Sequence, residues 1–377
     1  INTWALPVIT YTYGIVQWSQ TEIDDLDRKI RVMMTQHRMH HPNAAIERLY
    51  LPRKEGGRGL INLKNHLQKQ TANLKDYFRR TRDNSKLHDI VINIDKYSPL
   101  RLSESTDQLR PHKKEDLHQA WKKKELHGRF KNALDENHKE STKWIETGGL
   151  YAETEGFMFA IQDQVISTKN YRKYILKEKG LNDLCRLCNQ ASETIQHISA
   201  GCGALSNTEY LNRHDLSAKI LHQYLAKKYC DIVDKTPYYR YKSKPVIETN
   251  LFQLYWNRPI ITDKTIINNR PDIVLKDKEK KIATLIDISH PMDHNTQKAF
   301  GEKLRKYEDL AEEIRDLWQM NKVRILPVII SCNGLISKLQ IAELNKHDIP
   351  IHILRSMQRN VILETCRIVR KITNIVK

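Results

Sequence analysis

Acidic residues are in short supply in this 377-residue chain: 45 Asp and Glu face 63 Lys and Arg, a formal net charge of +18. That imbalance points to a polyanionic partner. Because the basic residues are dispersed along a folded-looking chain, nucleic acid is expected ahead of a membrane surface. Long apolar runs are also missing. None approaches the roughly 20 residues that span a bilayer, and no signal-peptide pattern opens the chain. No membrane partner is therefore expected, and the expected location is intracellular, the nucleus if the target is chromosomal DNA. Cysteines are few, six in all, and three of them cluster at a spacing that suits a metal better than disulfides. Cys230, Cys332 and Cys366 are scattered and read as buried free thiols. No internal repeat is evident. The first residue is Ile1, and Ile1-Asn2-Thr3-Trp4 opens without a cap or turn, so the expectation is a C-terminal piece of something longer. The chain does have 40% hydrophobic and 29% charged residues, enough for real cores and against wholesale disorder, in a length that suits two or three domains.

The most informative stretch is Arg270 to Tyr307. Ile273-Val274-Leu275 and Ile282 to Ile288 are apolar, β-branched runs separated by a charged turn, Lys276 to Lys281, which is a hairpin signal. A tight turn near Glu279-Lys280 sets Asp272 across from Asp287, and cross-strand partners hold their Cβ atoms about 4.5–5.5 Å apart. Two carboxylates that close need a proton or a hard divalent cation such as Mg²⁺ between them, and neutral pH favours the metal. From Thr296 to Met320, Phe300, Leu304, Tyr307, Ala311 and Ile314 recur at helical spacing, which predicts an amphipathic helix packed on the sheet. Lys303, Lys306 and Tyr307 leave it about one turn apart. An ammonium aimed at the acid pair can hold an attacking water or stabilise phosphate charge, as phosphodiester hydrolysis requires. The same residues also fit a plainer arrangement, a sheet-edge hairpin with solvated Asp and a helix whose lysines form a wet face.

Pro271-Asp272, fourteen intervening residues and Asp287 together resemble the PD-(D/E)xK nuclease superfamily. The usual lysine two places after the second acid is Ser289 here. In the restriction-like endonuclease of site-specific non-long-terminal-repeat retrotransposons that lysine lies on the following helix in a K-x-x-K-Y pattern, and Lys303-Leu304-Arg305-Lys306-Tyr307 is similar to it. The resemblance implies Asp272 and Asp287 as Mg²⁺ ligands, Lys303 as the preferred catalytic lysine with Lys306 as the alternative, and Tyr307 as a supporting residue; Arg270, beside the first acid, is a candidate nucleic-acid contact.

Earlier in the chain, Ile23, Leu26, Ile30 and Met33/Met34 mark helices between Thr3 and Leu63. Arg48 to Leu60 places three glycines among basic residues, a loop able to approach a phosphate backbone closely. Leu51 to Lys86 carries ten Lys or Arg against three Asp or Glu. Arg48, Arg53, Lys54 and Arg58 are the candidate nucleic-acid contacts, although a glycine turn followed by a solvated basic helix fits residue type equally well. Trp4 to Ile9, Tyr11 to Trp18 and Arg48 to Leu60 resemble the thumb of the same retrotransposon reverse transcriptases. No Tyr-x-Asp-Asp carboxylate pair occurs in the 377 residues, so the polymerase palm is not in this chain. Asn84 to Glu146, including Lys113-Lys114 and Lys122-Lys123-Lys124, reads as a solvated helical linker, and Gly148-Gly149 as a boundary.

Cys185-x₂-Cys188-x₈-His197-x₄-Cys202 has the ligand types and spacing of a closed, structural Zn²⁺ site, which would fold a segment too small for its own core. Flanking residues, including Arg213-His214-Asp215, again resemble the retrotransposon family. Arg186, Arg213 and His214 read as nucleic-acid contacts or as solvated surface. Tyr238-Tyr239-Arg240-Tyr241-Lys242 reads as a stacking surface or a strand edge. Val323 to Ser331 is expected as a buried strand broken by Pro327, followed by helices near Leu335–Asn345 and Ile353–Val376.

The expected architecture is thus multidomain. It comprises an all-α thumb-like domain (1–83), a helical linker (84–149), a linker with a small CCHC zinc knuckle (150–229, knuckle 185–202) and a C-terminal α/β restriction-endonuclease-like domain (230–377). The resemblance implies a Mg-dependent enzyme, with a structural Zn, that nicks target double-stranded DNA to prime reverse transcription and binds element RNA and its RNA–DNA duplex. A domesticated or decayed nucleic-acid-binding derivative without nuclease activity is the alternative. A zinc-stapled protein-interaction module is a third reading, and it requires the basic segment to be idle.

Overall fold

A computed structural model describes residues 1–103 and 114–374. Lys113 and the last residues of the expected terminal helix lie outside them. The described residues are mixed α/β, fifteen α-helices and one five-stranded sheet, and group into two compact units, 1–128 and 129–377. No described helix is long and apolar enough to cross a membrane.

The first unit is helical: α1 (Ala5–Tyr11), α2 (Gln20–Gln36), α3 (Glu47–Tyr50), α4 (Leu63–Thr81), α5 (Lys86–Ile94) and α6 (Lys114–Lys122), with the boundary inside α7 (His127–Glu136). A capping box starts α2, because the Ser19 hydroxyl accepts from the Glu22 amide and the Glu22 carboxylate accepts from the Ser19 amide. Ile23 packs with Leu6, Tyr13 and Leu63 in a small core. The glycine-rich turn closes on itself. The Arg58 and Leu60 amides donate to Arg48 and Leu49 carbonyls at 2.7 and 2.8 Å, Gly56 and Gly59 have φ of 86° and 70°, and a Cβ on Gly57 would overlap the Leu51 carbonyl oxygen. Close approach of backbone to backbone accounts for these glycines without a phosphate.

In the second unit α8 (Lys143–Glu146), α9 (Ala152–Gln162), α10 (Lys169–Tyr174) and α11 (Leu211–Cys230) precede a sheet in the order β1 (Val246–Glu248), β2 (Phe252–Trp256), β3 (Ile273–Asp277), β4 (Ile282–Ser289) and β5 (Lys322–Ile329). The first four strands run antiparallel and β5 lies parallel to β4. Strand alternation divides the core into two faces. Ile273, Ile286, Ile288, Leu326 and Val328 pack against α11, α14 (Lys338–Lys346) and α15 (Ile351–Thr373). Val274, Ala283 and Leu285 pack against α13 (Glu308–Leu317) and Tyr307. Asp287 has the parity of Leu285, so its side chain faces the α12 (Thr296–Lys306) side.

Three expectations change. The helix expected over Thr296–Met320 is two helices, α12 and α13, because Tyr307 (φ −114°, ψ 10°) leaves the helical region between them. Pro327 does not break its strand. It sits inside β5, an edge strand, where a missing amide is tolerated, and Gln340 satisfies that edge, accepting from the Ile329 amide at 2.7 Å and donating to the Pro327 carbonyl at 3.2 Å. The boundaries expected at 149/150 and 229/230 fall inside one compact unit. Ala218, Leu221 and Leu225 of α11 share the sheet's core, Trp144 and Ile145 are buried, and Arg355 of α15 holds Glu140 with two bonds of 2.6 and 2.9 Å. Within the expected solvated linker, Glu140, Ser141, Thr142, Trp144 and Ile145 are buried.

Candidate functional site

The β3–β4 register pairs Ile273 with Ile286, and one step beyond the ladder the same register sets Asp272 against Asp287. Asp287 is 2% exposed. Its Oδ2 lies 2.5 Å from Lys303 Nζ, and its Oδ1 lies 3.2 Å from Lys306 Nζ and 2.5 Å from the Tyr307 hydroxyl. Burial alone would push this carboxyl upward in pKa, but the charge and hydrogen bond of Lys303, then Tyr307 and Lys306, outweigh it and hold Asp287 below the usual carboxylate range. All three partners come from the end of α12. Two ammonium groups and a phenol converge because the helix ends there and the chain turns at Tyr307. Tyr307 is itself buried against Val274 and Leu285, so it is at once a core residue and a donor to the acid. Its hydroxyl also accepts from Lys306 Nζ at 2.8 Å, and burial together with the neighbouring charge of Asp287 raises its pKa.

Asp272 is held from another direction. Its Oδ2 accepts the Ile288 amide at 2.7 Å and His214 Nε2 at 2.9 Å. His214 stands in the first turn of α11, with Nδ1 3.0 Å from Asp215 Oδ1. Burial disfavours its charge, but Asp215 and Asp272 outweigh that and carry its pKa up to about 10, so it is an imidazolium at neutral pH. His290, just past the end of β4, is buried, its Nδ1 3.2 Å from the Ile330 carbonyl and its Nε2 without a hydrogen-bond partner among the described residues. Burial, then the charges of Arg213 and His214, press its pKa well below the ordinary value and keep it neutral.

Cys185, Cys188, His197 and Cys202 form a second centre. Their donor atoms all lie within 4.8 Å of one another, with Cys185 and Cys202 sulfurs 3.9 Å apart and Cys188 Sγ 3.3 Å from His197 Nε2. Tetrahedral Zn²⁺ with bonds near 2.3 Å to sulfur requires sulfur pairs about 3.8 Å apart, so the donor set and its spacing fit a metal such as zinc. Sequence places the first two cysteines on a tight turn closed by the Asn189 amide onto the Cys185 carbonyl, with Asn189 at φ 52°. Arg186 clamps Glu193 with bonds of 2.8 and 2.7 Å and ties the turn to the Ile372 carbonyl of α15 at 3.1 Å. Backbone amides of the turn, Gln190 first, lower the Cys188 pKa, whereas burial raises that of Cys202 to about 12. Among the described residues this is the one group of three or more His, Cys, Asp or Glu close enough to share an ion.

The chain matches no protein-family model and no curated protein.

Of the sequence-predicted site residues, Asp287, Lys303, Lys306 and Tyr307 meet directly and Asp272 joins them through the register. Arg270 is exposed, donates to the Asn257 carbonyl at 3.0 Å, and lends its own carbonyl to the Tyr307 hydroxyl at 3.2 Å. Arg48 is corrected. It is wholly buried, donates to the Gly56 carbonyl at 3.1 Å and lies 4.8 Å over the Trp121 ring, so it braces the turn and faces no phosphate. Arg53 and Arg58 are half-buried, Lys54 is exposed, and Arg58 reaches the Met39 carbonyl at 2.7 Å. In the tyrosine stretch, Tyr241 is buried with its hydroxyl 2.8 Å from His222 Nδ1, and Tyr239 stays exposed. Arg213 is likewise core rather than surface, and His214, an open choice from sequence, stands on an acid of the candidate centre.

Proposed function

We propose that the second unit is a Mg²⁺-dependent DNA endonuclease of the restriction-like PD-(D/E)xK kind, in the C-terminal part of a site-specific non-long-terminal-repeat retrotransposon polyprotein. Its nick in target double-stranded DNA primes reverse transcription in the nucleus. The first unit acts as a thumb that grips element RNA and the RNA–DNA duplex, and the Cys/His cluster is a structural zinc knuckle. The observation that carries this reading is the convergence of Lys303, Lys306 and Tyr307 of one helix end on Asp287, opposite Asp272 in the hairpin register.

The donor set suits a hard cation. Both acids offer oxygen, and an ammonium already lies 2.5 Å from Asp287 Oδ2, so positive charge is favoured at that spot. Asp272 and Asp287 would hold the Mg²⁺, which when bound supplies a polarised water and offsets phosphate charge. The chain's own groups do the rest. Tyr307 and Lys306 fix the Asp287 carboxylate through Oδ1. Lys303 presents its ammonium where the attacking water or a non-bridging phosphate oxygen sits, and stabilises the charge that grows as water adds to phosphorus and the 3′-oxygen leaves.

One observation favours a second reading, a derivative that binds nucleic acid without cutting: Asp287 is already neutralised by two lysines and needs no metal to stay buried. Incubation with supercoiled plasmid separates the two. The nuclease reading expects open-circular product with Mg²⁺, none with EDTA, and none from Asp272→Ala. Binding without nicking by the parent protein would reject it.

A further inference from the structure

Asp272 is the one acid of the pair that owes its orientation to a residue far away in sequence, and the chain between them is built to fix that residue. Arg213, 2% exposed, donates through Nη1 to the Ser199 carbonyl at 2.8 Å and to Thr365 Oγ1 at 2.9 Å, and its guanidinium lies 5.1 Å from the centre of the Tyr210 ring. The Tyr210 hydroxyl bridges the metal-ligand loop, accepting from the Cys202 amide at 3.2 Å and donating to the Ile198 carbonyl at 2.7 Å. The start of α11 is therefore anchored on one side to the Cys/His cluster and on the other to α15. The next residue, His214, is delivered to the sheet with its ring already set, because Nδ1 is engaged by Asp215 and only Nε2 is left to point outward.

We propose that His214 is a positioning residue of the nuclease centre, holding Asp272 in the rotation that presents its second oxygen to a divalent cation, and that the zinc knuckle acts as the abutment for that contact. The inference rests on the nuclease reading and deepens it. Its geometric basis is that both bonds to the Asp272 carboxylate fall on the same atom. The Ile288 amide and the His214 ring both donate to Oδ2, and among the described residues none donates to Oδ1. Two donors on one oxygen define the plane of the carboxylate, which a single amide bond would leave free to turn. Ligand carboxylates and imidazoles held in this way by outer partners lose about 10–100-fold in metal affinity or activity when the partner is removed. This also gives the knuckle a task in this unit other than touching nucleic acid. Its loop is bonded to Tyr210, Arg213 and Arg186, and those are bonded to α15 and to the start of α11.

The test uses the full chain and reads divalent binding as well as nicking. Ca²⁺ affinity is measured by calorimetry, the Mg²⁺ concentration for half-maximal nicking by plasmid assay, DNA affinity at fixed salt, and folding by thermal unfolding. His214→Ala is expected to weaken Ca²⁺ binding and raise the half-maximal Mg²⁺ about tenfold or more, with DNA affinity within about threefold. His214→Gln keeps an N–H donor of similar reach and is expected to recover most of both losses, which a mere packing role would not produce. If His214→Ala fails to fold, His214→Gln against His214→Leu carries the same comparison. His214→Ala with parental Ca²⁺ affinity and parental nicking, while Asp272→Ala is inactive, overturns the positioning role and leaves the nuclease reading standing. Asp272→Ala that nicks at the parental rate overturns the nuclease reading itself. A His214→Gln variant as impaired as His214→Ala also overturns the proposal, because the contact would then need something other than a donor.

Discussion

Asp287 has an ammonium on each oxygen, and the two are not equivalent. Lys303 Nζ sits 2.5 Å from Oδ2 and makes no other hydrogen bond or ion pair among the described residues, whereas Lys306 Nζ sits 3.2 Å from Oδ1 and shares itself with the Tyr307 hydroxyl and ring. In the proposed nuclease Lys303 is therefore the group to pass its donors to a phosphate or water, and Lys306 the one to keep the acid in place. Lys303→Ala should lower the nicking rate by about 10²–10³, the effect of removing one charge-stabilising donor, with DNA affinity within a few-fold because a transition-state contact acts on rate rather than binding. Lys306→Ala should cost less rate. Parental nicking by both single variants and by the double variant, alongside an inactive Asp272→Ala, would refute a role for these lysines. These residues are legible in the sequence because hairpin and helix periodicities are local, and local periodicity says which side chains share a face. His214 is not, since 58 residues separate it from Asp272 and no short-range pattern encodes that meeting. Arg48 misleads for the opposite reason. Its neighbours read as a basic loop, and only the fold reveals the Trp121 ring beneath it.

At the level of elements, the hairpin, the α12 stripe and the metal-ligand turn follow their sequence signals, while the breaks between elements do not. Tyr307 lies on the apolar stripe of a helix, and periodicity cannot show that its hydroxyl is bonded to an acid on the sheet at the cost of the helical angle. Pro327 carries a breaker signal that holds for central strands and lapses at an edge. The Cys/His element is too small to bury a core of its own, so the metal should supply its folding energy. We expect one zinc per chain by elemental analysis. Chelation or Cys188→Ser should remove it and open residues 180–215 to protease, with the start of α11 loosened as well because Tyr210 and Arg213 are bonded to that loop. A zinc-free protein that resists protease over 180–215 would refute a structural metal.

At the scale of the whole molecule the net charge of +18 favours the polyanionic partner of the proposed function, and exposure decides which charges are open to it. The first unit carries the basic segment Leu51 to Lys86, and the charges of its glycine-rich turn divide into two kinds by exposure. Arg48 is committed inside the turn, where it satisfies the Gly56 carbonyl and stacks on Trp121. Arg53, Lys54 and Arg58 sit on the same turn with at least part of their surface open to solvent. The two kinds separate in measurements of different quantities. Counterion release makes the slope of log affinity against log salt shallower by roughly 0.9 for each phosphate the protein ceases to neutralise. Changing Arg53, Lys54 and Arg58 together to Ala should therefore weaken binding to unrelated duplexes alike and reduce the salt slope by up to about 3, with a smaller change if Arg58 remains committed to the Met39 carbonyl. Arg48→Ala should leave the slope of the folded protein untouched and instead lower thermal stability, by about 2 kcal/mol for a desolvated cation–ring contact. A triple variant with the parental slope would mean that this turn is braced for the fold alone, and that the polyanion is met by basic residues elsewhere in the chain.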